Sequence, residues 1–166
     1  SQDWSEPLVV HPSDGGEDRY NTTEPRLQVF LPEPDKADGA AIVMLPGGGL
    51  RVLGMGGDMH DTIALLNDHG IAVIVLEYRT LQRAPEEIAR ATAPRPPVSG
   101  PIEFTTMEIR NANANPSPGD PALSEVLRLA VADGQAALRL VRSRAAQWDI
   151  DPDRVGMFGT SAGGGV

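Results

Sequence analysis

Uninterrupted apolar runs alternate with a helical pattern in the first half of this chain. Residues 40–45 and 71–76 contain no polar side chain, which is typical of strands covered on both faces of a parallel sheet. Between them, residues 58–69 have the pattern of a helix, with Asp58 as candidate N-cap and Gly70 as stop signal. A helix between two buried strands predicts a right-handed βαβ unit.

A second helix and a third strand are predicted near the end of the chain. Asp120 followed by Pro121 marks a helix start, because aspartate caps helix N-termini and proline suits the first helical position. Apolar residues recur from there at helical spacing as far as Trp148. Residues 154–158 then form a strand that leads into a glycine-rich end. Weaker patterns predict an edge strand at 8–10, a half-buried strand at 27–31 and a short helix at 85–91.

The segment 80–121 differs from the rest of the chain because it is rich in proline and lacks a clear period. A connection of about 40 residues is too long for a simple loop in a compact domain. We therefore interpret residues 80–121 as an insertion that forms a lid or a wall over a binding site. A plain surface excursion is the alternative interpretation.

Composition excludes several classes of function. The chain has 166 residues and a formal charge of −9, which argues against nucleic acid and anionic membranes as partners. It contains no cysteine, so disulfides and thiolate metal sites are excluded. No apolar run approaches the roughly 20 residues that span a bilayer. The chain starts at Ser1 without methionine, which favours a secreted or periplasmic location, after removal of an export signal, over a cytoplasmic one.

Two glycine-rich turns follow two of the predicted strands. Gly47, Gly48 and Gly49 come directly after the first apolar run, and Gly159-x-Ser161-x-Gly163 follows the last. The second pattern predicts a sharp strand-to-helix turn that lifts the serine hydroxyl clear of the sheet. In a parallel sheet both turns lie at the carboxyl ends of strands, where ligands bind.

These two turns together supply the parts needed for acyl transfer. Ser161 provides a nucleophile, and bare backbone N–H groups of Gly48 and Gly49 provide donors for an oxyanion. The N–H of Ala162, at the start of the following helix, is a further candidate donor. An incidental serine in a structural turn is the alternative.

Six motifs in order resemble the α/β-hydrolase superfamily, specifically the esterase branch with hormone-sensitive-lipase-like and acetyl-xylan/feruloyl-esterase-like members. The resemblance implies an α/β fold with a mostly parallel, doubly wound sheet, truncated here after the strand that precedes Ser161. Residues 1–166 would then be the N-terminal part of a single α/β-hydrolase domain. The function implied is that of a serine carboxylesterase. The matching motifs are PGGGL (46–50), LNDHGIAV (66–73), EYR (77–79), DGQAALR (133–139), WDIDPDRV (148–155) and GTSAGG (159–164).

Two departures from the family pattern refine this expectation. Pro46 stands where the lipase-type oxyanion motif has histidine, and Leu50 stands where related members often have an aromatic residue. These features favour carbohydrate esters, such as acetyl or feruloyl esters, as substrates. Leu50 and His60 are the candidate substrate contacts. Arg79, after the second buried strand, is expected to form a structural ion pair.

None of the three histidines is placed to activate Ser161. His11 precedes the core strands, His69 ends a helix, and His60 is expected to be at the surface or beside the substrate. The family order is Ser, then Asp or Glu, then His. The resemblance therefore places the acid and base beyond Val166, in a second chain or a missing segment, and implies no cofactor or metal. The alternatives are a non-catalytic fragment or pseudoenzyme, or a peptidase, thioesterase or lipase of the same fold.

Overall fold

A computed structural model describes residues 4–94 and 120–166 of the chain. Most of the predicted lid or substrate wall, residues 95–119 of the segment 80–121, lies outside the described residues. The strands are β1 (Val9–Ser13), β2 (Gly16–Tyr20), β3 (Arg26–Phe30), β4 (Ala41–Leu45), β5 (Leu53–Met55), β6 (Ala72–Glu77) and β7 (Val155–Gly159). The helices are α1 (Gly57–Asp68), α2 (Pro85–Thr92) and α3 (Pro121–Ser143), and short 3₁₀ turns cover Ala145–Gln147, Pro152–Arg154 and Ser161–Gly165.

The main sheet has the strand order β3-β6-β4-β7. β4 lies in its middle and runs parallel to both neighbours, whereas β3 pairs with β6 antiparallel. All six residues of β6 are buried, as the uninterrupted apolar pattern predicts for a strand covered on both faces. The α/β class with a parallel-rich sheet is thereby confirmed.

A second, antiparallel sheet with the order β1-β2-β5 was only partly predicted. The predicted strand at 8–10 corresponds to β1, but β2 and β5 carry little sequence signal because one is mostly polar and the other has three residues. A buried ion pair joins the two sheets: Arg19 Nη1 donates to Glu77 Oε2 at 2.8 Å. Gln28 Nε2 donates to the other Glu77 carboxylate oxygen at 2.7 Å, so this buried charge is fully paired.

The predicted N-cap residue is confirmed for α3 and wrong for α1. Asp120 caps α3, accepting a hydrogen bond from the Leu123 N–H at 3.0 Å. The N-cap of α1 is Gly56 and not Asp58, because the chain enters the helix two residues earlier, where the Gly57 N–H donates to the Asp14 carbonyl oxygen. Asp58 instead lies in the first turn, where a carboxylate still interacts favourably with the helix dipole.

β7 forms the edge of the main sheet within the described part of the chain. Its side chains are far less covered than those of β6: Met157 is 41% exposed and Phe158 is 45% exposed. Large apolar side chains are seldom left at an unpaired strand edge, since such edges attract further strands. Among the helices in the described ranges, none is both long and apolar enough to cross a membrane.

Candidate active site

The two glycine-rich turns lie side by side because β4 and β7 are hydrogen-bonded neighbours. Leu45 pairs with Gly159 in the sheet, and the Thr160 N–H donates to the Leu45 carbonyl oxygen at 3.2 Å. A Cβ built on Gly47 would lie 3.2 Å from the Ser161 Cβ, which is closer than most side chains tolerate. The glycine at position 47 therefore lets one turn touch the other.

The turn at Ser161 is sharp and sterically tight. Ser161 has a φ of +49°, a left-handed conformation that non-glycine residues seldom adopt. A Cβ on Gly159 would lie 2.2 Å from the Gly163 carbonyl oxygen, and one on Gly163 would lie 2.2 Å from the Leu45 carbonyl oxygen. The Ser161 residue is exposed, while Ala162 is buried. The steric requirement for both glycines is thus present, and the nucleophilic role of Ser161 stays a prediction.

The second turn, the glycine loop (residues 46–50), carries three consecutive positive φ angles. They are +138° at Gly48, +63° at Gly49 and +62° at Leu50. Within residues 4–94 and 120–166, the N–H groups of Gly48 and Gly49 donate to no protein acceptor. The Ala162 N–H, at the start of a 3₁₀ turn, is also outside the helical hydrogen-bond pattern. These are the donors that the sequence predicts for an oxyanion.

Residues 78–81, which we call the brace segment, hold both ends of the glycine loop. The buried Tyr78 hydroxyl donates to the Pro46 carbonyl oxygen at 2.5 Å. At the other end, the Leu81 N–H donates to the Leu50 carbonyl oxygen at 2.8 Å. Burial raises the pKa of Tyr78, so the hydroxyl keeps its proton across the physiological range. Sequence analysis missed these contacts, since a tyrosine after an apolar strand is equally compatible with simple core packing.

The brace segment is itself fixed to helix α3. Arg79 Nη2 and Nε donate to the Asp133 carboxylate at 2.5 and 2.9 Å, and the Arg79 backbone N–H donates to it at 3.1 Å. The hydrogen bonds that Arg79 donates to the Asp133 carboxylate raise the pKa of Arg79. The predicted structural ion pair of Arg79 is confirmed. Its partner was missed, although an aspartate between the apolar positions Ala130 and Ala137 of a helix is a signal for a buried charge pair.

A cavity of about 440 Å³ opens beside the two turns. Met44, Met59 and Phe158 contribute an apolar lining, and Asp14, Asp58 and Thr160 contribute polar groups. His60 is exposed and does not line this cavity.

Leu50, the other candidate substrate contact, is 2% exposed and packs in the core. Its placement favours a role in anchoring the glycine loop.

His69 lies away from Ser161 in the described structure. The ring of His69 hydrogen-bonds to the Leu65 carbonyl oxygen at the end of α1, on the side of the sheet where β6 begins. Ser161 lies at the opposite side, after the last residue of β7. No hydrogen bond in the described ranges joins Ser161 to His11, His60 or His69. The same residues contain no group of His, Asp and Glu that could hold a metal ion.

Known proteins that are similar to this chain in sequence or in fold are described as esterases or ester hydrolases. No model of a known protein family matches the chain. An acetylxylan esterase of Xylanibacter ruminicola is 29% identical over 139 residues, which cover 84% of this chain and 20% of that protein. A thermophilic esterase of Thermogutta terrifontis, solved with butyrate bound, is 20% identical with a TM-score of 0.51, over 86% of this chain and 37% of that one. An acetyl ester-xyloside bifunctional hydrolase of Caldicellulosiruptor lactoaceticus is 24% identical with a TM-score of 0.48, over 86% of this chain and 36% of that one.

The chain thus spans about a fifth of the curated relative and little more than a third of these two solved structures. The likeness to the Thermogutta esterase shows the fold: both have a mixed α/β architecture with a sheet rich in parallel strands. The resemblance that the ordered motifs indicate is confirmed.

Proposed function

We propose that this chain carries the nucleophile and the oxyanion donors of a serine carboxylesterase. The observation that supports this most strongly is the contact between the two turns. Ser161, in a left-handed conformation, lies against Gly47, and the N–H groups that follow at Gly48 and Gly49 have no acceptor among the described residues. A nucleophile beside preorganised donors is the arrangement that acyl transfer requires.

In the proposed reaction, Ser161 Oγ attacks the ester carbonyl carbon while a histidine base takes the hydroxyl proton. The carbonyl oxygen becomes an oxyanion that accepts hydrogen bonds from the N–H groups of Gly48, Gly49 and Ala162. Collapse of this intermediate breaks the bond to the alcohol, which leaves with the proton from the histidine. Water then hydrolyses the acyl-serine by the same steps and releases the carboxylic acid.

The histidine and its acidic partner are proposed to come from outside residues 1–166, as a separate chain or a further segment of the same protein. Within the described residues, none of the three histidines hydrogen-bonds to Ser161. The exposed apolar side chains of Met157 and Phe158, on the edge strand next to Ser161, suit a surface covered by further protein.

Acetyl or feruloyl esters of carbohydrates are the proposed substrates. The proline-led glycine loop favours this class, and the similarity to an acetylxylan esterase supports it.

Labelling with a fluorophosphonate probe tests the proposal in the complete protein. We expect a covalent adduct on Ser161, found by peptide mass spectrometry, and hydrolysis of p-nitrophenyl acetate and acetylated xylo-oligosaccharides. Ser161→Ala should abolish labelling and lower kcat by about 10⁵-fold or more, because the nucleophile is lost. Ser124→Ala is the matched control, since that exposed hydroxyl only hydrogen-bonds within α3.

A non-catalytic protein is the competing function, favoured by the absence of a described histidine next to Ser161. A complete protein that is folded, is not labelled at Ser161 and hydrolyses neither ester would support it and overturn the esterase proposal.

A further inference from the structure

We propose that Tyr78 is a positioning residue that sets the geometry of the oxyanion donors, a proposal that rests on the esterase function above. Its hydroxyl donates to the Pro46 carbonyl oxygen, 32 positions away in sequence, at 2.5 Å. That carbonyl belongs to the same peptide plane as the Gly47 N–H, at the point where β4 ends and the glycine loop begins. The hydrogen bond therefore fixes the orientation of the first peptide of the loop.

The glycine loop needs such external support. Glycine has the widest range of backbone conformations, so three consecutive glycines have little intrinsic preference for one geometry. Oxyanion donors act only when they already point to the place where negative charge develops. The Tyr78 hydroxyl holds the loop at Pro46, and the Leu81 N–H holds it at Leu50, so both anchors come from one short segment.

Tyr78 is well suited to this role because it is itself immobile. Its side chain is fully buried, and its ring offers few rotamers. The next two residues are fixed independently, Arg79 by the Asp133 carboxylate and the Thr80 backbone by its N–H, which donates to the Thr22 carbonyl oxygen at 3.1 Å. The core and α3 thus fix the position of the Tyr78 hydroxyl. The hydrogen bond from this hydroxyl to the Pro46 carbonyl oxygen then fixes the start of the glycine loop.

Tyr78→Phe in the complete protein tests this role. Removing only the hydroxyl should lower kcat by about 10-fold or more and leave KM within about 3-fold, since misplaced donors affect the transition state more than substrate binding. The inhibition constant of a trifluoromethyl ketone, which forms a tetrahedral adduct with the serine, should rise by the same factor as kcat/KM falls. A purely structural tyrosine would not produce this parallel change.

Thr80→Val is the matched control. It removes a buried hydroxyl of the same segment, which accepts from the Thr22 N–H at 3.1 Å and does not contact the glycine loop. We expect a decrease in Tm similar to that of Tyr78→Phe, with kcat and the inhibition constant within 2-fold of the wild type. If Tyr78→Phe fails to fold, 4-aminophenylalanine at position 78 keeps an N–H donor for Pro46 and should retain kcat within about 3-fold, whereas 4-methylphenylalanine should not.

The results separate this proposal from the one it rests on. If the wild type is active and labelled at Ser161 but Tyr78→Phe changes kcat and the inhibition constant less than 2-fold, the positioning role is wrong and the esterase function stands. If position 78 tolerates 4-methylphenylalanine as well as 4-aminophenylalanine, the positioning role is equally wrong. A wild type that is neither active nor labelled overturns both proposals.

Discussion

The two turns of the candidate active site follow neighbouring parallel strands, but they are held in place by different means. The glycine loop (46–50) depends on contacts from elsewhere in the chain: the Tyr78 hydroxyl and the Leu81 N–H bind its two ends. The turn at Ser161 depends on its own backbone, because Gly159 and Gly163 let chain segments approach where a Cβ would lie 2.2 Å from a carbonyl oxygen.

This difference predicts different responses to mutation. The glycine loop can lose one anchor and still be tied to the sheet, so its geometry should change without loss of the fold. The turn at Ser161 cannot adjust in this way, since a side chain added at one of its glycines must displace the backbone of β4 or β7. Damage to the loop should therefore appear mainly in catalysis, and damage to the turn should appear first in stability.

The largest effect is expected for Gly163→Ala. The new Cβ would lie 2.2 Å from the Leu45 carbonyl oxygen and 2.7 Å from that of Pro46, both backbone atoms that cannot rotate away. We expect a loss of about 3 kcal/mol or more in the free energy of unfolding, measured by urea denaturation of the complete protein. Activity should fall with it, because the clash separates the two turns.

Gly156→Ala is the control for this variant. Gly156 lies in the same strand that leads to Ser161, and a Cβ there meets no atom of the described residues within 4 Å. Its free energy of unfolding should stay within about 0.5 kcal/mol of the wild type. Equal stability of the two variants would show that the turn is not as tightly constrained as we infer.

A smaller and graded effect is expected within the glycine loop. Gly48 has a φ of +138°, and its Cβ would lie 1.9 Å from the Val52 carbonyl oxygen, whereas Gly49 has a φ of +63° and meets only the end of the Arg51 side chain at 3.9 Å. Gly48→Ala should cost about 2–3 kcal/mol of unfolding free energy. Gly49→Ala should cost only about 1 kcal/mol, the usual penalty for alanine in a left-handed conformation.

Activity assays on these two variants sharpen the comparison of the two turns. Both substitutions shift a candidate oxyanion donor, so both should lower kcat/KM for p-nitrophenyl acetate. Gly49→Ala should do so while its Tm stays near that of the wild type. A Gly49→Ala protein with unchanged kcat/KM would contradict the assignment of this loop as the oxyanion site.

Sequence patterns predicted the core of the fold because buried strands consist of uninterrupted runs of apolar residues. The apolar runs that became β4 and β6, and the Asp120 cap of α3, are local signals. β2 and β5 left little trace, since a polar strand and a strand of three residues are stabilised by pairing with neighbours. The cap at Gly56 was missed because its contact with Asp14 is distant in sequence.

The same limit applies to the candidate site. Ser161 and the glycines form local motifs, so they could be identified from the sequence alone. The contacts of Tyr78 with Pro46 and of Arg79 with Asp133 join residues 32 and 54 positions apart. The local pattern of apolar and polar residues does not predict such distant contacts. The turns were therefore predictable, and the groups that hold one of them in place were not.

Alkaline pH is expected to act on only one of the two turns. Residues 159–163 contain no titratable side chain, whereas the glycine loop depends on Tyr78, whose pKa is raised by burial above its ordinary value of 10.0. Above pH 10 the unfolded chain releases the tyrosine proton and the folded chain keeps it, so the stability that this group contributes is present below pH 10 and is lost as pH rises. The loss should total about 1.4 kcal/mol between pH 9 and 11, measured as the free energy of unfolding, because the slope approaches its limit only above pH 10. The unfolding free energy of Tyr78→Phe should fall less over this pH range by that amount, because Tyr20 and all other titratable groups remain in both proteins. Parallel curves for wild type and variant would show that the hydroxyl does not stay protonated in the fold.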